Sequence, residues 1–275
     1  MHVDSEEARG LRVPQRIAII GRGLIGGSFE KAALRAGYDV RCLHHGDPGF
    51  EDAEMVIVCL PPDAIVPWVR SRCQSFAKGA VVVDAAGTKA AIMAEMEGVP
   101  KDGWTFVGGH PMAGREVSGY ENSIANLFDG ASMLLVPEGD GPVPGFLEPF
   151  FKSLGFGRVV VTTADRHDEM IAFTSQLCHV IATAYARDPL VPESQGFTSG
   201  SYADMTRIAT QDPAIWSELF RENGKALVEV VDRFVARIGE FRAALAAGDR
   251  SAIAEIIKSG ADAKRAYEYQ KGSQL

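Results

Sequence analysis

The sequence predicts an α/β protein in two parts, a parallel sheet covered on both faces followed by an all-α half. Three observations carry that reading. Apolar runs without alternation recur between residues 16 and 162 with helix-like segments between them, the pattern of strands buried on both faces. A glycine-rich turn follows the first of these runs, at residues 21–26. From Asp165 onward the apolar positions move to three- and four-residue spacing and no strand pattern returns. The boundary falls between Thr163 and Ala164, giving domains 1–163 and 164–275.

The elements follow in order. Residues 16–20 (RIAII) are a β-branched strand, and residues 28–36 have helical composition that stops at Gly37, a good C-terminal cap. Residues 39–43 read as the second strand. Residues 54–60 (EMVIVCL) form a third, closed by Pro61 and Pro62. Residues 64–76 read as a helix with Pro67 in its first turn. Residues 80–84 (AVVVD), 106–107, 133–136 and 157–162 supply the remaining strands. Beyond the boundary, residues 165–186 read as one long helix, and 213–242 and 251–267 as two more. A helical half with this much apolar surface predicts a homodimer formed through it.

Composition narrows the function classes. With 275 residues and 46% hydrophobic side chains the chain can bury a sizeable core. A formal charge of −8 with no basic cluster argues against nucleic-acid binding. Cys42, Cys59, Cys73 and Cys178 are scattered, with no Cys-x-x-Cys pair and no histidine at metal-ligand spacing. That pattern suits free thiols in a reducing cytoplasm, with no disulfide frame and no metal site. Residues 1–14 are polar and lack the apolar core of a signal peptide, and no apolar run approaches a membrane span, so neither export nor membrane insertion is expected.

Gly21, Arg22, Gly23, Leu24, Ile25 and Gly26 form Gly-x-Gly-x-x-Gly between a strand and a helix. The first glycine permits the tight turn, the second lets backbone approach a pyrophosphate, and the third allows close helix–strand packing. The helix N-terminus then offers unpaired N–H groups to phosphate. A Rossmann-like dinucleotide site for NAD or NADP follows, with Leu60 and Pro61 at the end of the third strand also facing the cofactor. The acidic residue expected about 20 positions on, which would hold the NAD ribose, is replaced by His44, His45 and Gly46, with Asp47 just after. Strand three begins so soon afterwards that the usual helix and strand are missing, and the strand-two to strand-three region is shortened. Three readings stand: NAD held by Asp47, NADP with its 2′-phosphate near His44, His45 or Arg22, or weak cofactor binding.

The most informative stretch is residues 104–137, WTFVGGHPMAGREVSGYENSIANLFDGASMLLVP. His110 precedes Pro111 on a stiff small-residue turn, and Arg115, Glu116 and Ser118 follow closely. Neutral imidazole is the natural base near neutral pH, and Glu116 is placed to orient it or to bind substrate. The stretch closely resembles the signature of the prephenate/arogenate dehydrogenase family, the oxidoreductases of tyrosine biosynthesis. The resemblance extends to GLIGGS at residues 23–28, to Ser175-Gln176-Leu177-Cys178-His179 beside the family's Ser-His-Leu-Pro-His, and to Asp204-Met205-Thr206-Arg207-Ile208-Ala209 with Asp212-Pro213-Ala214-Ile215-Trp216. It is strong from residue 16 to about 216 and looser in the last helices.

The resemblance implies NAD(P)-dependent oxidative decarboxylation of prephenate or arogenate. His110 would be the proton acceptor while hydride leaves ring C4 for nicotinamide. Arg207 would clamp a substrate carboxylate, a task that suits its fork of donors. His179, Ser118 and Trp216 would complete the substrate pocket, with Glu116 and Thr88 beside the reacting centre. Two departures stand out. The family's Asp-x-x-Ser-x-Lys appears as Asp84-Ala85-Ala86-Gly87-Thr88-Lys89, so glycine occupies the serine position and Thr88 offers the neighbouring hydroxyl. Gln176 and Cys178 replace the first histidine and the proline of Ser-His-Leu-Pro-His. The competing readings are a β-hydroxyacid or imine dehydrogenase of similar architecture, which would typically carry a helix-borne lysine that the His179 cluster lacks, and a nucleotide- or aromatic-acid-binding protein without turnover. Because the sequence stops soon after its helices, neither a fused chorismate mutase nor an aromatic-amino-acid regulatory domain is expected.

Overall fold

The computed structural model describes residues 13–115 and 117–272, with side chains through residue 269. Residues 1–12, most of the stretch read above as a polar start without a signal peptide, lie outside it. Seven strands build one sheet: β1 (Arg16–Ile20), β2 (Asp39–Leu43), β3 (Met55–Val58), β4 (Val81–Asp84), β5 (Thr105–Pro111), β6 (Ser132–Pro137) and β7 (Arg158–Val161). Their spatial order is β2-β1-β3-β4-β5-β6-β7. The pairing is parallel except between β5 and β6, which run antiparallel. That one reversal corrects the expected all-parallel sheet. Among its described residues, the segment joining β5 to β6 holds only a short helical turn, Tyr120–Asn122, and not the crossover helix that a parallel pair requires.

Both faces of the sheet are buried, which is why its strands lack alternation. Ala18 and Ile20 of β1 point into one apolar cluster with Ile65 and Val69 of α2 (Pro62–Arg72) and Ile92 of α3 (Ala90–Met96). Ile17 and Ile19 point into the other, with Phe29 of α1 (Leu24–Arg35) and Phe150 and Phe151 of α4 (Leu147–Ser153). α2 starts earlier than expected, so Pro67 stands inside the helix and not in its first turn. Pro62 takes the favoured first position, where its missing N–H costs nothing.

The chain passes from β2 to β3 through residues 44–54 with no helix, crossing beside β1. This matches the shortened region inferred above. Trp68 Nε1 and Arg72 Nη2 donate to the His45 carbonyl at 2.7 and 2.9 Å and fix the path of this connection.

After β7, Thr163 caps α5 (Ala164–Ile171) by accepting from the Arg166 amide. The single helix expected over residues 165–186 is interrupted. A π-helical turn, Ala172–Gln176, separates α5 from α6 (Leu177–Ala186). Such a bulge rotates the side chains that follow it and often marks a functional site; here it accompanies the burial of Gln176. α7 (Gly200–Thr206) and the 3₁₀ turn Arg207–Thr210 precede α8 (Pro213–Glu222), whose start is capped by Asp212. The expected helix over 213–242 also breaks, at Asn223, before α9 (Gly224–Ala247) and α10 (Arg250–Gly272). The chain forms two compact units, Met1–Gly224 and Lys225–Leu275. Among the described residues no helix is long and apolar enough to cross a membrane, and no group of three or more His, Cys, Asp or Glu side chains is placed to hold a metal ion.

Candidate active site

The glycine turn is shaped for a dinucleotide. Gly21 has φ +109°, and a Cβ there would collide with the Cys59 carbonyl oxygen beyond β3. At Gly26 a Cβ would meet the Gly21 carbonyl, so the helix can lie close to the turn only with glycine present. At Gly23, by contrast, a Cβ would meet nothing within 4 Å, which leaves open space beside the start of α1. That helix has neither a side-chain cap nor an acid in its first turn, so its terminal N–H groups remain available to an anion. The residues therefore fit the phosphates of NAD(P). Leu60 lies beside Gly21, and Pro61 starts α2.

β5 carries His110 to the sheet's carboxyl edge. Gly109 lets β5 lie against β4, since a Cβ there would strike the Asp84 carbonyl and Val83. Asp84, fully buried at the end of β4, secures the arrangement with both oxygens. Oδ1 accepts from Gly109 N at 2.9 Å; Oδ2 accepts from Ala86 N at 2.9 Å and from Lys89 Nζ at 2.5 Å. Lys89 is equally buried and also donates to the Thr88 carbonyl at 2.9 Å.

From His110 a buried series of polar contacts runs into α5. His110 Nδ1 lies 2.9 Å from His167 Nε2, and His167 Nδ1 lies 2.7 Å from Asp168 Oδ1. Asp168 also accepts from the amides of Lys89 and Ala90, both at 2.8 Å. An ionised carboxylate only accepts, so the proton between Asp168 and His167 sits on Nδ1. With that proton on Nδ1, His167 Nε2 can accept, and it takes the Nδ1–H of His110. His110 Nε2 is left with its lone pair. Burial, then the neighbouring His167 and Lys89, hold His110 well below the ordinary histidine value, so the ring is neutral and basic at that nitrogen.

Gly87 is the neighbour of this nitrogen. A Cβ on Gly87 would stand 4.0 Å from His110 Nε2 and 3.4 Å from Leu219 Cδ2 of α8. Thr88 is buried, and its hydroxyl donates to Glu222 Oε2 at 2.6 Å, tying the β4 loop to the end of α8. Glu222 is raised from the usual carboxylate range, chiefly by burial.

The remaining predicted residues gather less tightly. The His179 ring on α6 lies against Trp216 of α8, with centroids 3.5 Å apart. Arg207 is exposed at the start of a turn that packs on α6, the helix of His179. Ser118 sits on an exposed loop, where its carbonyl accepts from Asn122 Nδ2 at 2.6 Å. Glu116 lies outside the described residues. Asp47 turns its Oδ2 back onto the His44 amide at 2.8 Å.

Several polar residues of the site were not singled out from sequence. His167, Asp168 and Asn223 are buried, as is Gln176, which the sequence marked only as a departure from the family motif. Asn223 Nδ2 donates to the Asp168 carbonyl at 2.9 Å and to Gln176 Oε1 at 2.8 Å, and Gln176 Nε2 donates to the Leu219 carbonyl at 3.2 Å. The available signal was the His167-Asp168 pair inside an otherwise amphipathic helix.

Two family models match the chain, the nucleotide-binding domain of prephenate dehydrogenase over residues 16–146 and its dimerization domain over residues 163–259. The chain belongs to the prephenate dehydrogenase family. A cyclohexadienyl dehydrogenase from Zymomonas mobilis is 28% identical, covering 93% of this chain and 97% of that protein. A prephenate dehydrogenase from Lactococcus lactis is 26% identical, covering 94% of this chain and 79% of its own length. In fold, the chain superposes with a TM-score of 0.79 on an Aquifex aeolicus prephenate dehydrogenase in complex with hydroxyphenyl propionate and NAD+. That match has 24% identity and covers 94% of this chain and 99% of that one. This member of the prephenate dehydrogenase family is thus an NAD(P)-dependent oxidoreductase with a Rossmann-like sheet and a helical C-terminal part.

Proposed function

We propose that the chain oxidises and decarboxylates prephenate or arogenate with His110 as the proton acceptor. The observation that supports this most is the series Asp168–His167–His110, which leaves the lone pair of His110 Nε2 beside Gly87. NAD(P) held at residues 21–26 supplies the acceptor for the hydride that leaves ring C4. As that hydride goes, the 4-hydroxyl proton passes to His110 Nε2 and a C4 carbonyl forms. The bond from C1 to the ring carboxylate then breaks, CO2 leaves, and its electron pair enters the ring, which becomes aromatic as the oxygen regains a proton. Arg207 holds a substrate carboxylate, His179 and Ser118 supply further polar contacts, and Trp216 walls the pocket. Thr88 acts from behind, fixing the β4 loop through Glu222.

In this reading residues 1–163 bind the dinucleotide and residues 164–275 bind substrate and dimerise. The helical unit supports a homodimer. Val228, Val235, Ile238 and Leu245 are exposed on α9 at seven- and three-residue spacing, the pattern of a helix seam. Four free cysteines suit a reducing cytoplasm. Supplying prephenate and arogenate with NAD and NADP in all four combinations, and following reduced-cofactor absorbance, tests the activity. Folded protein that turns over none of them would overturn it. Sedimentation showing only monomer at micromolar concentration would overturn the dimer.

A further inference from the structure

The adenosine end of the dinucleotide site differs from that of an NAD enzyme in a way that the sheet register makes specific. Ile20 of β1 pairs with Leu43 of β2, and Gly21 N donates to the Leu43 carbonyl at 2.8 Å. The next residue of β2's path, His44, therefore stands level with Gly21. In a dinucleotide fold this is where an acidic side chain receives the ribose 2′-hydroxyl and repels a 2′-phosphate. Here the side chain is an exposed imidazole. The nearest acid along the chain, Asp47, closes a tight turn: its Oδ2 accepts from His44 N at 2.8 Å, and its own amide donates to the His44 carbonyl at 3.0 Å.

Two arginines and one carboxylate lie at the same corner. Arg22, exposed in the glycine turn, lies over the Tyr120 ring with Cζ 4.8 Å from its centroid. It is close enough to Cys42, two residues before His44, to act on that thiol, which burial above all, then Glu30, push up to about 12 against the pull of Arg22. Cys42 and His44 fall on the same face of the β2 path by two-residue alternation. The Glu30 carboxylate faces this corner too, but accepts from the Tyr120 hydroxyl at 2.6 Å. Arg72 holds the backbone next to His44 by donating to the His45 carbonyl.

We infer that this site is built for the 2′-phosphate of NADP, with Arg22 and His44 as its recognition groups. The inference rests on the dinucleotide reading of residues 21–26 and refines it. A doubly charged phosphate gains charge-assisted hydrogen bonds from these groups, and the side chain that would exclude it is absent from His44's position.

Equilibrium binding tests this apart from turnover. Titration with NADPH and NADH, followed by nicotinamide fluorescence, should give tighter NADPH binding by about tenfold or more. As an independent arm, 2′,5′-ADP should displace the bound cofactor at lower concentration than 5′-AMP. His44→Asp should weaken NADPH binding and leave NADH binding equal or stronger, and Arg22→Gln should weaken NADPH alone. NADH binding as tight as NADPH, no advantage for 2′,5′-ADP, or an unchanged preference in folded His44→Asp would overturn the inference. If NADPH binds preferentially but no substrate is turned over, the proposed reaction fails and the phosphate site stands.

Discussion

His110 Nδ1 and His167 Nε2 face one another at 2.9 Å, and this contact decides which nitrogen of His110 is basic. With Nδ1 committed to His167, only Nε2 can accept a proton. His110→Asn keeps polar volume but removes that acceptor. We expect kcat to fall by on the order of 100-fold or more, with a smaller change in KM. Steady-state kinetics retaining near wild-type turnover would remove His110 from the reaction.

The same contact sets the pH dependence. His110 is held below the ordinary value of 6.5 by burial first, then by His167 and Lys89. Its basic form therefore persists below pH 6.5, and the acid limb of kcat/KM should lie under that value. His167→Ala takes away the ring that orients His110, so kcat should fall about tenfold, while burial, the first cause of the depression, keeps the acid limb under 6.5. An unchanged kcat in folded His167→Ala would remove His167 from the positioning of His110. For stability the sign is also fixed: below pH 6.5 the unfolded chain takes up a proton that native His110 refuses, so urea midpoints should decline as pH falls.

The sheet was legible because burial on both faces leaves an unambiguous mark, seen in runs such as Met55–Val58 and Val81–Asp84. The glycine turn was legible because backbone geometry restricts residue choice there. Other features depend on long-range packing. The antiparallel β5–β6 pair follows from the path of a loop, and the π turn at Ala172–Gln176 accompanies Gln176's contacts with Asn223 and α8. Asp168 was hidden for a similar reason. Its partners, the amides of Lys89 and Ala90, lie almost 80 residues away in the chain, and spacing along one helix carries no trace of them.

Asp84 and Lys89 form a buried ion pair that also holds Gly109 and Ala86 in place. Removing one partner leaves a charge in an apolar interior. Lys89→Met should therefore cost about 3–5 kcal/mol, read as a lower midpoint in urea unfolding. A loss below about 1 kcal/mol, the scale of an exposed pair, would show that the pair does not brace the β4–β5 edge.

Arg207 stands on the turn that packs against α6. If it clamps a substrate carboxylate, its effect belongs mainly to binding. Arg207→Ala should raise KM by about 10- to 100-fold, the equivalent of one or two charge-assisted hydrogen bonds, with a smaller change in kcat. Arg207→Lys keeps the charge but loses the planar fork, and should recover only part of the affinity. Equal losses from both variants in kcat alone would argue against a carboxylate clamp.

Gly87 stands where the family pattern has serine, and the surrounding space shows what restoring the hydroxyl should do. A Cβ at this position meets Leu219 Cδ2 at 3.4 Å, an ordinary contact, so Gly87→Ser should fold with a melting temperature close to that of the parent. The same Cβ lies 4.0 Å from His110 Nε2, which brings a serine hydroxyl within hydrogen-bond reach of the proton-accepting nitrogen. Held there, the hydroxyl would help to align His110 with the reacting oxygen, and we expect kcat to rise by roughly severalfold. Gly87→Val offers the contrast, because its methyl groups crowd Leu219 and the same nitrogen without supplying a donor; kcat should fall. A serine variant that loses rate as the valine variant does would mean that this chain needs the space at Gly87, and that its site has been rearranged around the missing hydroxyl.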